Sequence, residues 1–163
     1  MAMRKHPAGE LVIEQTRDLA RVREMLARAG MMTDAVQWPA ACYIFAYLGD
    51  EAVGVIGVES KIDAALIGSL YVNESMRRRG IAGALIAAAR KAAHTRGARH
   101  LYLFSTEAGG FFGRHGFTTV AVPDVVAAIP GAPQVEYYRA RPEELAREVA
   151  YHLDISGDGV IER

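Results

Sequence analysis

The residues with the clearest chemical potential are Arg77, Arg78 and Arg79, followed directly by Gly80-Ile81-Ala82-Gly83. They stand between an apolar run, Leu66–Val72, and a helix-like run, Ala84–Ala89. A strand that enters a tight turn of small residues and leaves as a helix aims unpaired backbone N–H groups at one point, where the helix dipole is positive. Such a point suits a phosphate or pyrophosphate. Gly80 and Ala82 let a ligand approach the backbone closely. The guanidinium groups beside them add donors matched to phosphate oxygens. The turn has neither the Gly-Lys-Ser/Thr ending of a triphosphate loop nor the Gly-x-Gly-x-x-Gly of a dinucleotide fold. The spacing predicts a phosphorylated cofactor of another kind.

Arg77-x-x-Gly80-x-Ala82 resembles the Gln/Arg-x-x-Gly-x-Gly/Ala motif of the GNAT acetyltransferases. Ala108–Phe117, a short helix ending in Gly116-Phe117, is similar to that superfamily's second motif. The resemblance runs from about Asp18 to Phe117. It implies acetyl-coenzyme A as donor, with the pyrophosphate on the backbone of Arg78, Arg79, Gly80, Ile81, Ala82 and Gly83, beside Arg77. It implies a pantetheine arm running along Leu70, Tyr71 and Val72 like an added strand. Ser105 stands where the family often has an Asn on that arm, and Phe112 where many relatives have a Tyr. The implied architecture is α/β: a mixed, partly antiparallel central sheet flanked by helices. It splays between its fourth strand, Ala64–Val72, and its fifth, Leu101–Ser105.

Acetyl transfer to an amine needs a group to take the amine's proton and a way to stabilise the departing thiolate. Leu66–Ser69 carries no carboxylate, and Phe112 cannot donate a proton. Glu59 and Glu107 are the nearest candidate bases. Ser69, Ser105 and Tyr71 are candidate donors, and the Val72 N–H is a candidate for polarising the thioester carbonyl. Leu101–Thr106 with Phe111–Phe117 is similar to amino-acid N-acetyltransferases of the acetylglutamate-synthase and arsenic-resistance types. For an amino-acid acceptor, Arg139 or Arg114 is the candidate for holding a carboxylate. The expected reaction is direct transfer of acetyl to the primary amine of a small molecule. The alternative is a regulatory or catalytically degenerate relative that binds acyl-CoA without turnover.

The elements that must position these residues follow from pattern. Leu11–Glu14 reads as a strand, then Asp18–Ala29 as a helix capped by Thr16. Cys42–Leu48 and Ala52–Ser60 read as a hairpin, with Tyr43, Phe45 and Tyr47 alternating onto one face that is core or a homodimer contact. Ala64–Val72, a helix over Gly80–Thr95, Leu101–Ser105, a short helix over Gly109–His115 and a strand from Phe117 follow. Pro123–Ala128 reads as one helical turn, Val135–Arg139 as a last strand and Pro142–Leu153 as a terminal helix.

The chain has 163 residues, 51% of them hydrophobic, and nineteen acidic groups balance nineteen basic ones. This fits a single domain, with a loose end at Met1–Gly9 and a tail at 154–163. Zero net charge argues against broad capture of nucleic acid. No run approaches the ~20 apolar residues of a membrane helix. Cys42 is the only cysteine, so no internal disulfide is expected, and a buried thiol in a reducing cytoplasm is the reading. The histidines show no ligand spacing. The calcium-loop-like run from Asp154 ends at Arg163 before the bidentate Glu such a loop requires, so no metal is expected.

Overall fold

The computed structural model describes residues 6, 8–34, 36, 41–106 and 110–159. Its framework grows from one hairpin. β2 (Ala41–Leu48) and β3 (Glu51–Lys61) pair antiparallel across the Gly49-Asp50 turn. β1 (Leu11–Thr16) extends the sheet beyond β2, and β4 (Ala64–Val72) extends it beyond β3. The chain then crosses over through α2 (Ile81–Thr95) and returns as β5 (His100–Ser105), parallel to β4. A helical crossover makes that parallel pairing possible. β6 (Thr118–Val120) and β7 (Val149–Asp154) complete a seven-stranded sheet of order β1-β2-β3-β4-β5-β7-β6.

Alternation along the strands sorts the core onto two faces. Ile44, Ala46, Ala65 and Ile67 meet Leu85, Ile86 and Ala89 of α2. On the other face Tyr43, Phe45 and Tyr47 pack against Val22 and Leu26 of α1 (Leu19–Arg28). On that same face, Ala64 and Leu66 are covered by α4 (Val122–Ala128) and α5 (Pro133–Arg139). The aromatic alternation is therefore core. Cys42 is buried. Among the described residues, no helix is long and apolar enough to cross a membrane.

Three expectations are corrected. The cap of α1 is Asp18, whose carboxylate accepts from the Arg21 N–H at 3.1 Å, while the Thr16 hydroxyl accepts from the Asp18 N–H at 3.0 Å. Val135–Arg139 is helical: Pro133 occupies the first turn, where its fixed φ suits a helix, and buries Val135 over the sheet. Pro142–Leu153 is a single helical turn, α6 (Pro142–Leu145), followed by β7. Leu145, Val149 and Leu153 imitate helical spacing. Without β7, however, β5 would present a bare edge, and β7 covers it from His100↔Asp154 to Ser105↔Val149.

Candidate active site

β4 is where the sheet opens. It pairs with β5 only over Ala64–Ile67, against His100–Leu103. Beyond Ile67 its only sheet neighbour among the described residues is β3, so the β5-facing backbone of Gly68–Val72 borders a cleft. A bulge sits at the departure point. The register with β3 jumps from Gly57↔Gly68 to Val55↔Tyr71, and Ser69 takes φ +53°. A non-glycine residue in the left-handed region is strained, and bulges of this kind re-aim a strand beside a site.

At the far end of the same strand half, the turn into α2 has two left-handed residues, Arg78 at φ +66° and Gly80 at φ +78°. Gly80 is the N-cap. It offers no side chain, and the first turn of α2 holds no acidic residue. The first helical hydrogen bond is Ala84 N–H to Gly80 C=O, 3.1 Å, so the N–H groups of Ile81, Ala82 and Gly83 precede the helical ladder. Arg78 and Arg79 are exposed beside them. Arg77 turns back instead: its Nε donates to the Val72 carbonyl at 3.1 Å and its guanidinium lies 5.9 Å from the centre of the Tyr71 ring. It clamps the end of β4. Gly83 has a packing role, since a Cβ there would lie 3.1 Å from the His115 ring beyond α3 (Phe111–Arg114).

Between the splayed strands lies a cavity of about 460 Å³. Its lining includes Ser69 and Leu70 of β4, Ser105 of β5 and Phe112 of α3. The Phe112 ring is fixed against Phe111, Phe117 and Tyr151, with centroids 5.1, 6.1 and 5.3 Å away. Of the residues expected from the sequence, the structure thus brings Ser69, Leu70, Ser105 and Phe112 to one cavity and places Tyr71, Val72 and Arg77–Gly83 along the strand and turn leading from it. Glu107, with Ala108 and Gly109 of the second motif, lies outside the described residues.

The lining also contains residues the sequence reading did not single out as site residues: Met31 and Met32 after α1, Gln134 and Tyr138 of α5, and Glu148 just before β7. The Tyr138 hydroxyl donates to Glu148 Oε1 at 2.6 Å, and its ring packs edge-on to Phe104. Burial, then the bond to Glu148, pushes the Tyr138 phenol well above its ordinary pKa, so it holds its proton at neutral pH. Glu148 Oε2 is buried and meets no donor among the described residues. No local signal marks this wall, because its members come from three separate segments.

Glu59 is not in the cavity wall but directly behind it. Pairing places it on the same face as Leu66, under α5. It is 4% exposed. Its Oε1 accepts from the Gln134 N–H at 3.1 Å and its Oε2 from the Gln134 side-chain amide at 3.2 Å. Burial raises its pKa to about 7, against the lowering effect of the Gln134 bonds. The candidate base Glu59 is thus a desolvated carboxylate that fixes Gln134. Gly68 makes room for this arrangement, because a Cβ there would overlap the Gln134 amide. Arg139 is 60% exposed and paired with Glu136, and Arg114 is exposed. Neither lines the cavity.

Comparison with known proteins matches this fold. Residues 39–119 match the acetyltransferase (GNAT) domain model. The fold is similar to that of Rv2747 from Mycobacterium tuberculosis, solved in complex with CoA, at 18% identity over 88% of this chain and 98% of that one, with a TM-score of 0.63. It is similar to a GNAT-family acetyltransferase from Staphylococcus aureus Mu50, at 12% identity over 90% and 99% of the two chains, TM-score 0.67. It also overlays N-acetylglutamate synthase from Neisseria gonorrhoeae, solved with coenzyme A and N-acetyl-glutamate, at 17% identity and TM-score 0.65, covering 91% of this chain and 36% of that one. No curated protein matches the chain by sequence. With a helix N-terminus left open after a bulged, half-paired fourth strand, and with the domain match over the same stretch, the chain belongs to the GNAT acetyltransferase superfamily.

Proposed function

We propose that the protein transfers acetyl from acetyl-CoA directly to the primary amine of a small molecule. The observation that carries this is the half-paired β4. It leaves one strand edge, Gly68–Val72, facing a cavity at one end and an uncapped helix N-terminus at the other. That layout fits a donor with a diphosphate and an extended amide-bearing arm.

In this reading the N–H groups of Arg78–Gly83 receive the pyrophosphate, helped by the positive end of α2 and by the side chains of Arg78 and Arg79. Arg77 acts through β4 by holding the Val72 carbonyl. Leu70, Tyr71 and Val72 offer backbone donors and acceptors to the pantetheine arm. Ser105 faces the arm across the cleft, Phe112 closes the wall near the thioester, and Ser69 stands at the bulge beside it. The Val72 N–H, or a neighbour on the same edge, polarises the thioester carbonyl. Glu59 is assigned to support: both its oxygens are engaged by Gln134, so it fixes the acceptor wall rather than meeting the amine.

The test is a two-part assay. Calorimetry with acetyl-CoA should show binding that weakens when Ala82 is replaced by a bulky residue. Thiol release should then depend on an added primary amine. Binding without amine-dependent release would support a non-catalytic acyl-CoA-binding role instead, and no binding would remove both readings.

A further inference from the structure

We infer that Glu148, oriented by Tyr138, receives the acceptor's ammonium group and takes its proton before acetyl transfer. The inference rests on the reading of the cavity as the place where acetyl meets an amine, and it names the residue on the acceptor side.

Glu148 lies at the cavity wall with one oxygen, Oε1, fixed by the Tyr138 hydroxyl at 2.6 Å. Its other oxygen, Oε2, is buried without a donor among the described residues. A buried carboxylate oxygen lacking a donor is costly. Nothing in the surrounding fold requires a carboxylate there: Tyr138 needs only an acceptor, which an amide would supply. No lysine or arginine among the described residues lines the cavity to neutralise it. The missing partner is therefore a cationic donor brought from outside, and a primary ammonium supplies both the charge and the N–H.

Position supports the same assignment. Glu148 immediately precedes β7, whose Val149 pairs with Ser105. The carboxylate is thus held beside the C-terminal end of β5, across the cleft from the Ser69 bulge on β4. Glu59, the other carboxylate near the cavity among the described residues, has both oxygens occupied and stands behind Gln134. Tyr138 of α5 touches Glu148, and Glu144 of α6 and Tyr137 act on Tyr138 from outside the wall. Among the described residues, β4, β5 and the segment after α1 present only uncharged lining side chains, among them Ser69, Ser105 and Met32. Tyr138, its phenol raised by burial and by this bond, stays a donor and keeps Oε1 occupied, which leaves Oε2 for the amine.

In the step, an N–H bond of the bound ammonium breaks and its proton passes to Glu148 Oε2. The freed nitrogen lone pair bonds to the thioester carbon. The carbon–sulfur bond breaks with its electron pair on sulfur. The thiolate takes the second proton that the acylated nitrogen gives up. Glu148 returns its proton to solvent, so each turnover yields amide, free thiol and one proton.

The test compares wild-type protein with Glu148→Gln and Tyr138→Phe. The probes are 2-phenylethylamine, spermidine, arginine and glutamate with acetyl-CoA, followed by thiol release from pH 6.5 to pH 10. The amide is isosteric and still accepts from Tyr138, so acetyl-CoA affinity and thermal melting should be unchanged and report an intact fold. At pH 7, Glu148→Gln should lose about 10²–10⁴-fold in kcat/KM for any amine the wild type uses. The loss should shrink as pH approaches the amine's own pKa, because free amine then arrives already deprotonated. A merely structural role would not produce that pH-dependent recovery. Activity within threefold of wild type at pH 7, or a loss constant across pH, overturns the assignment while leaving the transfer reading intact. Wild-type protein that binds acetyl-CoA but acetylates no probe overturns the transfer reading, and the inference with it.

Discussion

Residues 68–83 offer the cleft mainly backbone groups, whereas residues 134–148 offer side chains. On the first bank the working parts are a strand edge, a bulge and a helix N-terminus, shaped by Ser69, Arg78 and Gly80 in left-handed conformations. On the second they are an amide, a phenol and a carboxylate, delivered by α5 and by the approach to β7. A ligand part shared by many enzymes, such as a diphosphate on an extended arm, can be met by generic backbone groups. A part that differs from enzyme to enzyme must be met by side chains. The two banks therefore respond to mutation differently, and each difference is measurable.

The largest expected effect on the backbone bank comes from Gly80→Val. A Cβ at Gly80 meets nothing within 4 Å, so the damage is conformational. A β-branched residue at φ +78° is strained by roughly 1–2 kcal/mol or more. The turn relaxes and misdirects N–H groups each worth about 1.5–3 kcal/mol toward a charged ligand. Acetyl-CoA affinity by calorimetry should fall about 100-fold, with turnover at saturating donor changed much less. An unchanged dissociation constant would mean that the diphosphate is not held here.

That bank was legible because backbone sites leave compositional marks. The Arg77–Gly83 turn and the strand before it could be read locally, and the Ala64–Val72 boundaries hold as expected. The side-chain bank was not legible. Tyr138 and Glu148 meet only because Pro133 starts a helix where Val135–Arg139 looks like a strand, and because β7 inserts between β5 and β6. Insertion of a late strand is decided by an edge elsewhere in the sheet, which no local window contains. Glu59 was visible as a carboxylate at a strand end. Its burial was not, since the α5 that covers it reads as a strand in the sequence.

A pH effect of similar size belongs to the side-chain bank. Burial raises the Glu59 pKa from 4.5 to about 7. Between these pH values the unfolded chain has lost a proton that the folded chain still binds. The contribution of Glu59 to stability is therefore complete below about pH 4.5 and declines as pH rises through 7, by about 3 kcal/mol in all. Glu59→Gln stays neutral throughout, so it should gain on wild type by about that amount between pH 4.5 and pH 8 in urea unfolding. Parallel pH profiles for the two proteins would show that the carboxyl is not desolvated.

Gly68→Ala should cost about 1–3 kcal/mol of stability, the range for overpacking a filled interior. Its Cβ would overlap the Gln134 amide, which Glu59 holds and which therefore cannot swing aside cheaply. This position joins the two banks. If thermal melting of Gly68→Ala matches wild type, Gln134 is not rigidly seated, and the distinction between a fixed wall and an adaptable one weakens.

The smallest effects sharpen the comparison from the donor side. Arg78 and Arg79 are exposed next to the α2 N-terminus, and the structure gives neither a hydrogen bond or ion pair among the described residues. If the backbone does most of the holding, Arg78→Ala and Arg79→Ala should each weaken acetyl-CoA by only about two- to fivefold, the scale of an exposed charge contact. That loss should fade as salt shortens the Debye length from about 10 Å at 0.1 M toward 3 Å at 1 M. Arg77→Ala should behave otherwise. Its guanidinium is committed to the Val72 carbonyl and the Tyr71 ring, so its removal frees the end of β4, and the lost affinity should persist at high salt. A salt-sensitive Arg77 variant, or salt-insensitive Arg78 and Arg79 variants, would reverse the roles within the turn: Arg77 would be the charge that meets the diphosphate, and its neighbours would be the structural pair.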